Sequence, residues 1–240
     1  MPSSCWERLS IPDPNFAFLQ QAATKLGPLL NEVVFIGGVT LGLLITDDAA
    51  APIRGTRDVD VIAEIITYAD YIVFSERLRR EHFTEDMGQE PLACRWHHGE
   101  LTLDVMPIKK EVLGYANTWY EGALETAVAI DLPGGQSIRV ITAPFFLSTK
   151  IEAFRGRGKM DYQASHDLED FIAVIEGRPT VLEEIGRSPV QLRRYLADAA
   201  SLLLNESRFL DVLPGYVLDD GRVPMILERL TTIAQLGATS

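Results

Sequence analysis

Two acidic residues with strand spacing, Asp58 and Asp60, are the feature of this sequence best suited to chemistry. Residues 58–62 alternate acidic and apolar side chains, which predicts a strand with both carboxylates on one face. Adjacent carboxylates repel each other unless a cation lies between them. Magnesium prefers oxygen ligands and leaves room for phosphates, and paired ions hold both reacting oxygens of a phosphoryl displacement. The pattern therefore favours metal-assisted phosphoryl transfer, although such a pair standing alone is more often a solvated strand edge.

A glycine pair upstream offers a place for a phosphate. Residues 33–36 are β-branched or aromatic and predict a buried strand, after which Gly37 and Gly38 open a short helix over residues 39–45. Glycines allow the backbone to approach a phosphate closely, and a helix N-terminus presents free N–H groups to an anion. The Thr40 hydroxyl can add another donor. A tight turn between strand and helix, with no ligand, explains the same residues equally well.

A third acid, Asp104, stands alone in the apolar segment 101–108. If that strand lies beside residues 58–62, Asp104 becomes the third metal carboxylate and the natural general base for an attacking hydroxyl. The alternative is an acid on an edge strand that faces water.

These segments together resemble the nucleotidyltransferase superfamily related to DNA polymerase beta. The resemblance rests on the glycine pair, on the run Arg54-Gly-Thr-Arg-Asp-Val-Asp60, and on the later strand acid. Downstream, a helix lysine at Lys150, a basic glycine-containing turn, and Asp167 with Asp170 resemble the abortive-infection-type nucleotidyltransferase toxins of bacterial toxin–antitoxin systems. The resemblance covers residues 33–176.

The resemblance implies an α+β fold, with a small mixed β-sheet core and flanking helices followed by a helical C-terminal portion. It implies that the glycine segment holds the nucleotide's phosphates through Gly37, Gly38 and Thr40. It also implies Mg²⁺ or Mn²⁺ bound by Asp58, Asp60 and Asp104.

The resemblance assigns the remaining site residues to the helical portion. Lys150 would reach a phosphate as a point charge, and Asp167 or Asp170 would orient that lysine or the nucleotide. Arg157 and Lys159 would touch phosphates or the acceptor. Each group also has a simpler explanation: basic residues often end a helix, and Asp167 suits the first turn of one.

The activity so implied is transfer of a nucleotide from a nucleoside triphosphate, ATP among them, to an acceptor hydroxyl. Toxin-like relatives imply an RNA end or a protein side chain as acceptor, and a cognate antitoxin protein as partner. A small-molecule acceptor, as in antibiotic-modifying relatives, stays open. So do a degenerate nucleotide-binding protein and a component that acts mainly through protein contacts.

The elements that must position these residues change in character at Ala143-Pro144. Before it the pattern is mixed, with helices at 13–30 (N-cap Asp13 or Asn15), 68–80 and 121–128, and hairpins at 92–108 and 128–141. After it, helical patterns run over 145–156, 166–176, 179–186, 189–204 and 222–236. We therefore predict a catalytic core at 1–142 and a helical portion at 143–240 that contributes Lys150 and Asp167 or Asp170.

Composition sets bounds on partners and compartment. The 240 residues are 47% hydrophobic and 23% charged, as expected for a folded globular chain. A net charge of -12 argues against a broad face for nucleic acid or an anionic membrane, while leaving room for a local phosphate site. Cys5 and Cys94 form neither a disulfide framework nor a zinc pattern, which fits a reducing compartment. Without a signal-like or membrane-length apolar stretch, the chain is expected to be cytoplasmic.

His97, His98 and Glu100 form the other cluster of metal-ligand residue types. Neighbouring residues of a strand point to opposite faces, so the two histidines are not expected to share a ligand. A hairpin tip is the favoured interpretation.

Overall fold

The structure, a computed structural model, describes residues 13–88, 92–156, 158 and 160–237. It has a mixed α/β fold with a seven-stranded mixed sheet, which agrees with the predicted α+β class. The described residues divide into two compact units, the first holding 13–42 and 54–142 and the second holding 43–53 and 143–237.

The sheet lies in the first unit, and its central strands carry the acids. The strands are β1 (Val33–Ile36), β2 (Asp58–Ala63), β3 (Thr84–Glu85), β4 (Arg95–His98), β5 (Leu101–Pro107), β6 (Val128–Asp131) and β7 (Ser137–Val140). Their order is β3-β4-β5-β2-β1-β7-β6, so β2 and β5 both lie inside the sheet. β2 pairs antiparallel with β1 and parallel with β5.

Hydrophobic patterning explains the central strands. All four residues of β1 are buried, as the apolar run predicts. In β2 the side chains of Val59 and Val61 are completely buried, whereas Asp58 and Asp60 on the other face are partly exposed. The two valines bind the strand to the core and leave the acids at a face that solvent can reach.

Among the described residues, the α-helices of the first unit are α1 (Phe16–Leu26), α3 (Tyr68–Arg80), α4 (Lys110–Leu113) and α5 (Tyr120–Glu125), and the short α2 (Leu41–Leu44) begins in this unit and ends in the second. The helix predicted over residues 13–30 ends at Leu26, because Gly27 has φ +52°, and continues as the 3-10 helix Gly27–Glu32. The helix predicted over residues 68–80 is confirmed. Its N-terminus carries a capping box in which Thr67 and Asp70 satisfy each other's backbone N–H groups.

Asn15 occupies the N-cap position of α1, but its side chain does not cap the helix. The completely buried amide instead accepts a hydrogen bond from the Thr56 N–H at 2.7 Å and donates to the Arg54 carbonyl at 3.0 Å. Asn15 therefore holds the loop that leads into Asp58, a positional role that the capping pattern did not reveal.

The second unit is helical in its 143–237 portion, with α6 (Ala143–Arg155), α7 (His166–Gly177), α8 (Val181–Gly186), α9 (Val190–Leu204), α10 (Ser207–Val212) and α11 (Val223–Leu236). The five predicted helices are confirmed, and α10 is an addition. Leu192, Leu196, Leu203, Ile226 and Leu230 are buried along α9 and α11 at helical spacing, which accounts for the packing of these two helices.

Residues 43–53 belong to the second unit although they lie between β1 and β2 in the chain. The N–H groups of Thr46 and Asp47 both donate to the carbonyl of Gly177, at 2.9 and 3.0 Å. Arg222 donates to the Asp47 carboxylate at 2.6 Å. A Cβ on Gly177 would lie 2.6 Å from Cγ2 of Ile45, so the close approach of the segment requires glycine there.

Among the helices of the described chain, none is both long enough and apolar enough to cross a membrane.

Candidate active site

The parallel pairing of β2 with β5 brings two of the predicted acids side by side. Asp60 lies opposite Asp104, and Asp58 lies opposite Thr102. The predicted neighbourhood of the two strands is confirmed. Asp104 is 7% exposed and its strand lies between β4 and β2, so it is not an edge acid that faces water. Aligned residues of paired strands point to the same face, so the three acids form one acidic face at the middle of the sheet.

Arg95 on β4 is the residue of this site that the sequence analysis missed. It lies opposite Asp104, and its guanidinium binds that carboxylate through both oxygens, with Nε to Oδ1 at 2.8 Å and Nη2 to Oδ2 at 2.7 Å. The same Nη2 lies 3.3 Å from Oδ2 of Asp58. Hydrogen bonding to Asp104 raises the pKa of Arg95 further above its ordinary value, so the side chain stays charged. Arg95 therefore bridges the acids of two strands.

Asp58 is more accessible than either Arg95 or Asp104. Its side chain is 39% exposed, against 10% for Asp104. The hydroxyl of Thr56 donates to Oδ1 of Asp58 at 2.8 Å, and Asn15 holds the Thr56 backbone in turn. The Thr-x-Asp spacing in the sequence thus corresponds to a direct hydrogen bond that orients the first carboxylate.

Gly37 lies directly against Asp60. Its backbone has φ +69° and ψ -168°, a conformation almost restricted to glycine. A Cβ placed there would lie 2.1 Å from Oδ2 of Asp60, well inside contact distance. Glycine is therefore required here both by the backbone angle and by the close approach of the carboxylate. This requirement holds whether or not a phosphate binds.

Replacing Gly37 with alanine should lower the free energy of unfolding by roughly 1–3 kcal/mol, from the disfavoured backbone conformation alone. The Asp60 carboxylate must also move, so site function should fall with stability. Urea unfolding followed by circular dichroism measures the first effect. Gly55→Ala is the matched control, because nothing lies within 4 Å of the position where its Cβ would be. Equal stability of the two variants would contradict the tight packing of Gly37 on Asp60.

The turn after Gly37 is closed by its own groups. The Thr40 hydroxyl donates a hydrogen bond to the Gly37 carbonyl at 2.9 Å, and Thr40 is completely buried. A phosphate contact from this hydroxyl would require that hydrogen bond to break. The helical segment that follows consists of the 3-10 turn Gly38–Thr40 and the four residues of α2. Such a short helix provides little macrodipole for an anion.

The acidic face has the donor chemistry that a divalent metal needs, but its groups are arranged around Arg95. Carboxylate oxygens are the ligands that magnesium and manganese prefer, and Asp58, Asp60 and Asp104 supply them from adjacent strands. In the part of the chain that the structure describes, no three His, Cys, Asp or Glu side chains are grouped as a metal centre. The residues fit a metal by type, and binding would require a rearrangement of the arginine.

The lysine and acids predicted for the helical portion form a buried cluster within the second unit. Nζ of Lys150 lies 2.6 Å from Oδ2 of Asp170 and 3.2 Å from Oδ1 of Asp167. All three side chains are at most 10% exposed, and Lys150 also lies over the ring of Phe146. Both aspartates pair with the lysine. Arg157 and Lys159 lie outside the described residues.

The two histidines of the 97–100 segment are on β4 and point in different directions. His97 Nδ1 lies 3.4 Å from the Thr102 hydroxyl, on the row of side chains that includes Asp58. His98 instead makes an edge contact with the ring of Phe83. The two side chains therefore contact different parts of the first unit. The hairpin turn is shorter than predicted, since only Gly99 and Glu100 separate the strands.

Comparisons with known proteins assign no family. No protein-family model matches the chain, and no curated protein matches its sequence. Among solved structures it is similar to JHP933 from Helicobacter pylori, with 14% identity over 95% of this chain and 91% of that one, and a TM-score of 0.43. A similarity of this size assigns neither fold family nor activity.

Proposed function

We propose that this protein is a metal-dependent nucleotidyltransferase that moves a nucleotide from a nucleoside triphosphate to an acceptor hydroxyl. The supporting observation is the register of β2 and β5, which aligns Asp60 with Asp104 and places Asp58 on the same face. Acids grouped on one face repel each other unless cations lie among them, and a divalent ion would supply more positive charge than the single guanidinium of Arg95 that pairs with Asp58 and Asp104. Metal-assisted phosphoryl transfer would account for the grouping of these three acids.

Each acid has a role in the proposed chemistry. Asp58, Asp60 and Asp104 would hold Mg²⁺ or Mn²⁺, which when bound supplies positive charge to the reacting phosphate oxygens. Asp104, which is buried whereas Asp58 and Asp60 are partly exposed, would take the proton of the acceptor hydroxyl. The hydroxyl oxygen forms a bond to the α-phosphorus, and the bond from that phosphorus to pyrophosphate breaks. The triphosphate loses pyrophosphate, and the acceptor gains a nucleotide.

Roles for other residues follow the resemblance. Gly37 and Gly38 would allow the triphosphate to approach the backbone. Lys150, oriented by Asp167 and Asp170, would supply a positive charge to a phosphate, and Arg157 and Lys159 would touch phosphates or the acceptor. The acceptor would be an RNA end, a protein side chain or a small molecule, and the net charge of -12 makes RNA the least favourable of these electrostatically. A toxin role would add a cognate antitoxin protein.

A labelling experiment tests the proposal and identifies the acceptor class. Purified protein is incubated with Mg²⁺ or Mn²⁺, each of the four α-labelled ribonucleoside triphosphates, and total cellular RNA, protein or small-molecule extract. Label should appear in one fraction together with released pyrophosphate, and should vanish in Asp58→Ala and Asp60→Ala. Asp131→Ala is a matched control, because that aspartate is exposed on the edge strand β6.

Undiminished label transfer by a folded Asp58→Ala variant would refute the assignment of the acids. Absence of label with every triphosphate and fraction would refute transfer itself. Nucleotide binding measured by calorimetry would then decide between a binding protein and a protein with no nucleotide ligand.

A second candidate, a catalytically degenerate nucleotide-binding or partner-binding protein, is favoured by one observation. Arg95 already neutralises part of the acidic face, as an arginine can do permanently in a protein that has lost its metal. In that case nucleotide binding should be independent of Mg²⁺ and unaffected by chelators. Metal-dependent binding would eliminate this candidate.

A further inference from the structure

Arg95 is placed where a cation is needed. Its guanidinium binds both oxygens of Asp104 and reaches Asp58, and these two acids come from different strands, β5 and β2. Bidentate pairing of this kind is among the stronger polar contacts in proteins, because two charge-assisted hydrogen bonds share one geometry. The arginine therefore performs the electrostatic task, holding carboxylates together, that was predicted for a metal ion.

The position of Arg95 also allows it to leave. Its side chain is 28% exposed, so a path to solvent exists, whereas Asp104 is enclosed. A divalent ion at the same oxygens would repel the guanidinium across a few ångströms. Simultaneous binding of the Arg95 guanidinium and a divalent ion to Asp104 and Asp58 is thus disfavoured, so the binding of one displaces the other.

We propose that Arg95 is an internal counter-cation that competes with divalent metal for Asp104 and Asp58. The site then has two states, one closed by the guanidinium and one in which Arg95 has turned away and the carboxylates bind metal. This inference rests on the proposed function for its choice of ligand. Under this inference, Arg95 lowers the metal affinity of the site when substrate is absent. Arg95 also holds the acids together when no metal is bound.

The test compares Mn²⁺ affinity between the wild-type protein and Arg95→Gln, with no nucleotide or acceptor present. Electron paramagnetic resonance of free Mn²⁺ measures the dissociation constant directly. Losing charge-assisted hydrogen bonds to a competitor changes an equilibrium constant about tenfold or more, so Arg95→Gln should bind Mn²⁺ at least about tenfold more tightly. Adding Asp58→Asn to the Arg95→Gln variant should abolish the gain.

Arg77→Gln is the matched control. Arg77 lies on α3 in the same unit, is partly exposed, and pairs with Glu32 rather than with any acid of the site. The Arg77→Gln variant removes the same formal charge as Arg95→Gln. It should leave Mn²⁺ affinity unchanged within about twofold, because exposed charges are screened by solvent and salt. A gain as large in Arg77→Gln as in Arg95→Gln would show a general charge effect and overturn the proposal.

Arg95→Gln that binds Mn²⁺ equally or more weakly would also overturn it, by showing that the arginine assists the site or is only structural. If Arg95→Gln does not fold, the wild-type protein provides the test. The Nε–Hε signal of Arg95, assigned by its loss in Arg95→Lys, should shift as Mg²⁺ saturates the protein. An unmoved signal at saturation would contradict displacement.

The two proposals can fail separately. If Arg95→Gln binds Mn²⁺ more tightly but the wild-type protein transfers no nucleotide, the counter-cation is supported and the transferase is refuted. Transfer without a change in Mn²⁺ affinity supports the transferase and refutes the counter-cation. No Mn²⁺ binding by either protein overturns the counter-cation, and the labelling experiment then decides on the transferase by itself.

Discussion

Lys150→Met should lower the free energy of unfolding by about 3–5 kcal/mol, because removing one partner of a buried ion pair leaves uncompensated charge. Lys150 is 8% exposed and its closer partner Asp170 is 1% exposed, with Asp167 completing the cluster. Methionine replaces the four-carbon stem of lysine with an unbranched apolar chain of four heavy atoms, so the change mainly tests the charge. Urea unfolding followed by far-ultraviolet circular dichroism reports the loss, since the 143–237 portion of this unit is helical.

Arg187→Met is the control for this variant. Arg187 pairs with Glu183 one helical turn away, and both side chains are more than half exposed. Exposed pairs contribute about 0–1 kcal/mol, so this variant should unfold close to the wild type. If Lys150→Met costs no more than Arg187→Met, the buried cluster does not stabilise the fold. Any loss of activity in Lys150 variants must therefore be measured where the protein is still folded.

Asp104→Asn should reduce the rate of nucleotide transfer by about 100- to 10,000-fold, the usual contribution of a positioned general base. The amide is nearly the same shape and can still accept a hydrogen bond from Arg95, so the strand pairing should survive. It cannot take a proton from the acceptor and is a weaker metal ligand. Single-turnover kinetics at saturating triphosphate measure the chemical step apart from binding.

Asp131→Asn provides the comparison for Asp104→Asn, since it makes the same change at an exposed position of β6. A rate within twofold of wild type is expected for it. Retention of full activity by Asp104→Asn would remove Asp104 from the chemistry and leave proton transfer to another group. His97, two strands from Asp58 on the same row, would be the next residue to replace.

The central strands could be predicted because their patterns are local. Residues 33–36 are uniformly apolar, and residues 58–62 alternate between acidic and apolar side chains. In both segments the sequence pattern therefore predicts a strand and the side chains that it buries. The neighbourhood of Asp104 and the strand 58–62 was a hypothesis, since nothing in a single sequence states which strands pair. It is confirmed because β5 pairs with β2 on one side and with β4 on the other, which places it inside the sheet.

Arg95 was missed because of hairpin register. Assigning the turn to residues 97–100 would place Trp96 opposite Leu101, whereas the two-residue turn at Gly99 places Trp96 opposite Leu103 and Arg95 opposite Asp104. A shift of two residues preserves which face each side chain takes, so the hydrophobic pattern cannot detect it. The ion pair that dominates the site depends entirely on that register.

The short elements β3, α4 and α10 were missed for a different reason. Each has only two to six residues, too few for a periodic pattern to emerge from the surrounding loop. The buried Lys150 cluster was foreseen only through resemblance. Its acids at i and i+3 destabilise an isolated helix, and in the structure both pair with the lysine of α6.

The membership of residues 43–53 in the second unit bears on how the chain is made. During synthesis β1 and β2 leave the ribosome before Gly177 and Arg222 have been added to the chain. The segment between the strands is therefore made before its hydrogen-bonding partners. Domains tend to fold as they emerge, N-terminal first, and here the pairing of β1 with β2 would close the waiting segment into a loop. A fragment ending at residue 142 would leave Ile45 without the surface of Gly177 against which it is buried. Such a fragment should aggregate, so separating the two units would require excising this loop as well as cutting the chain.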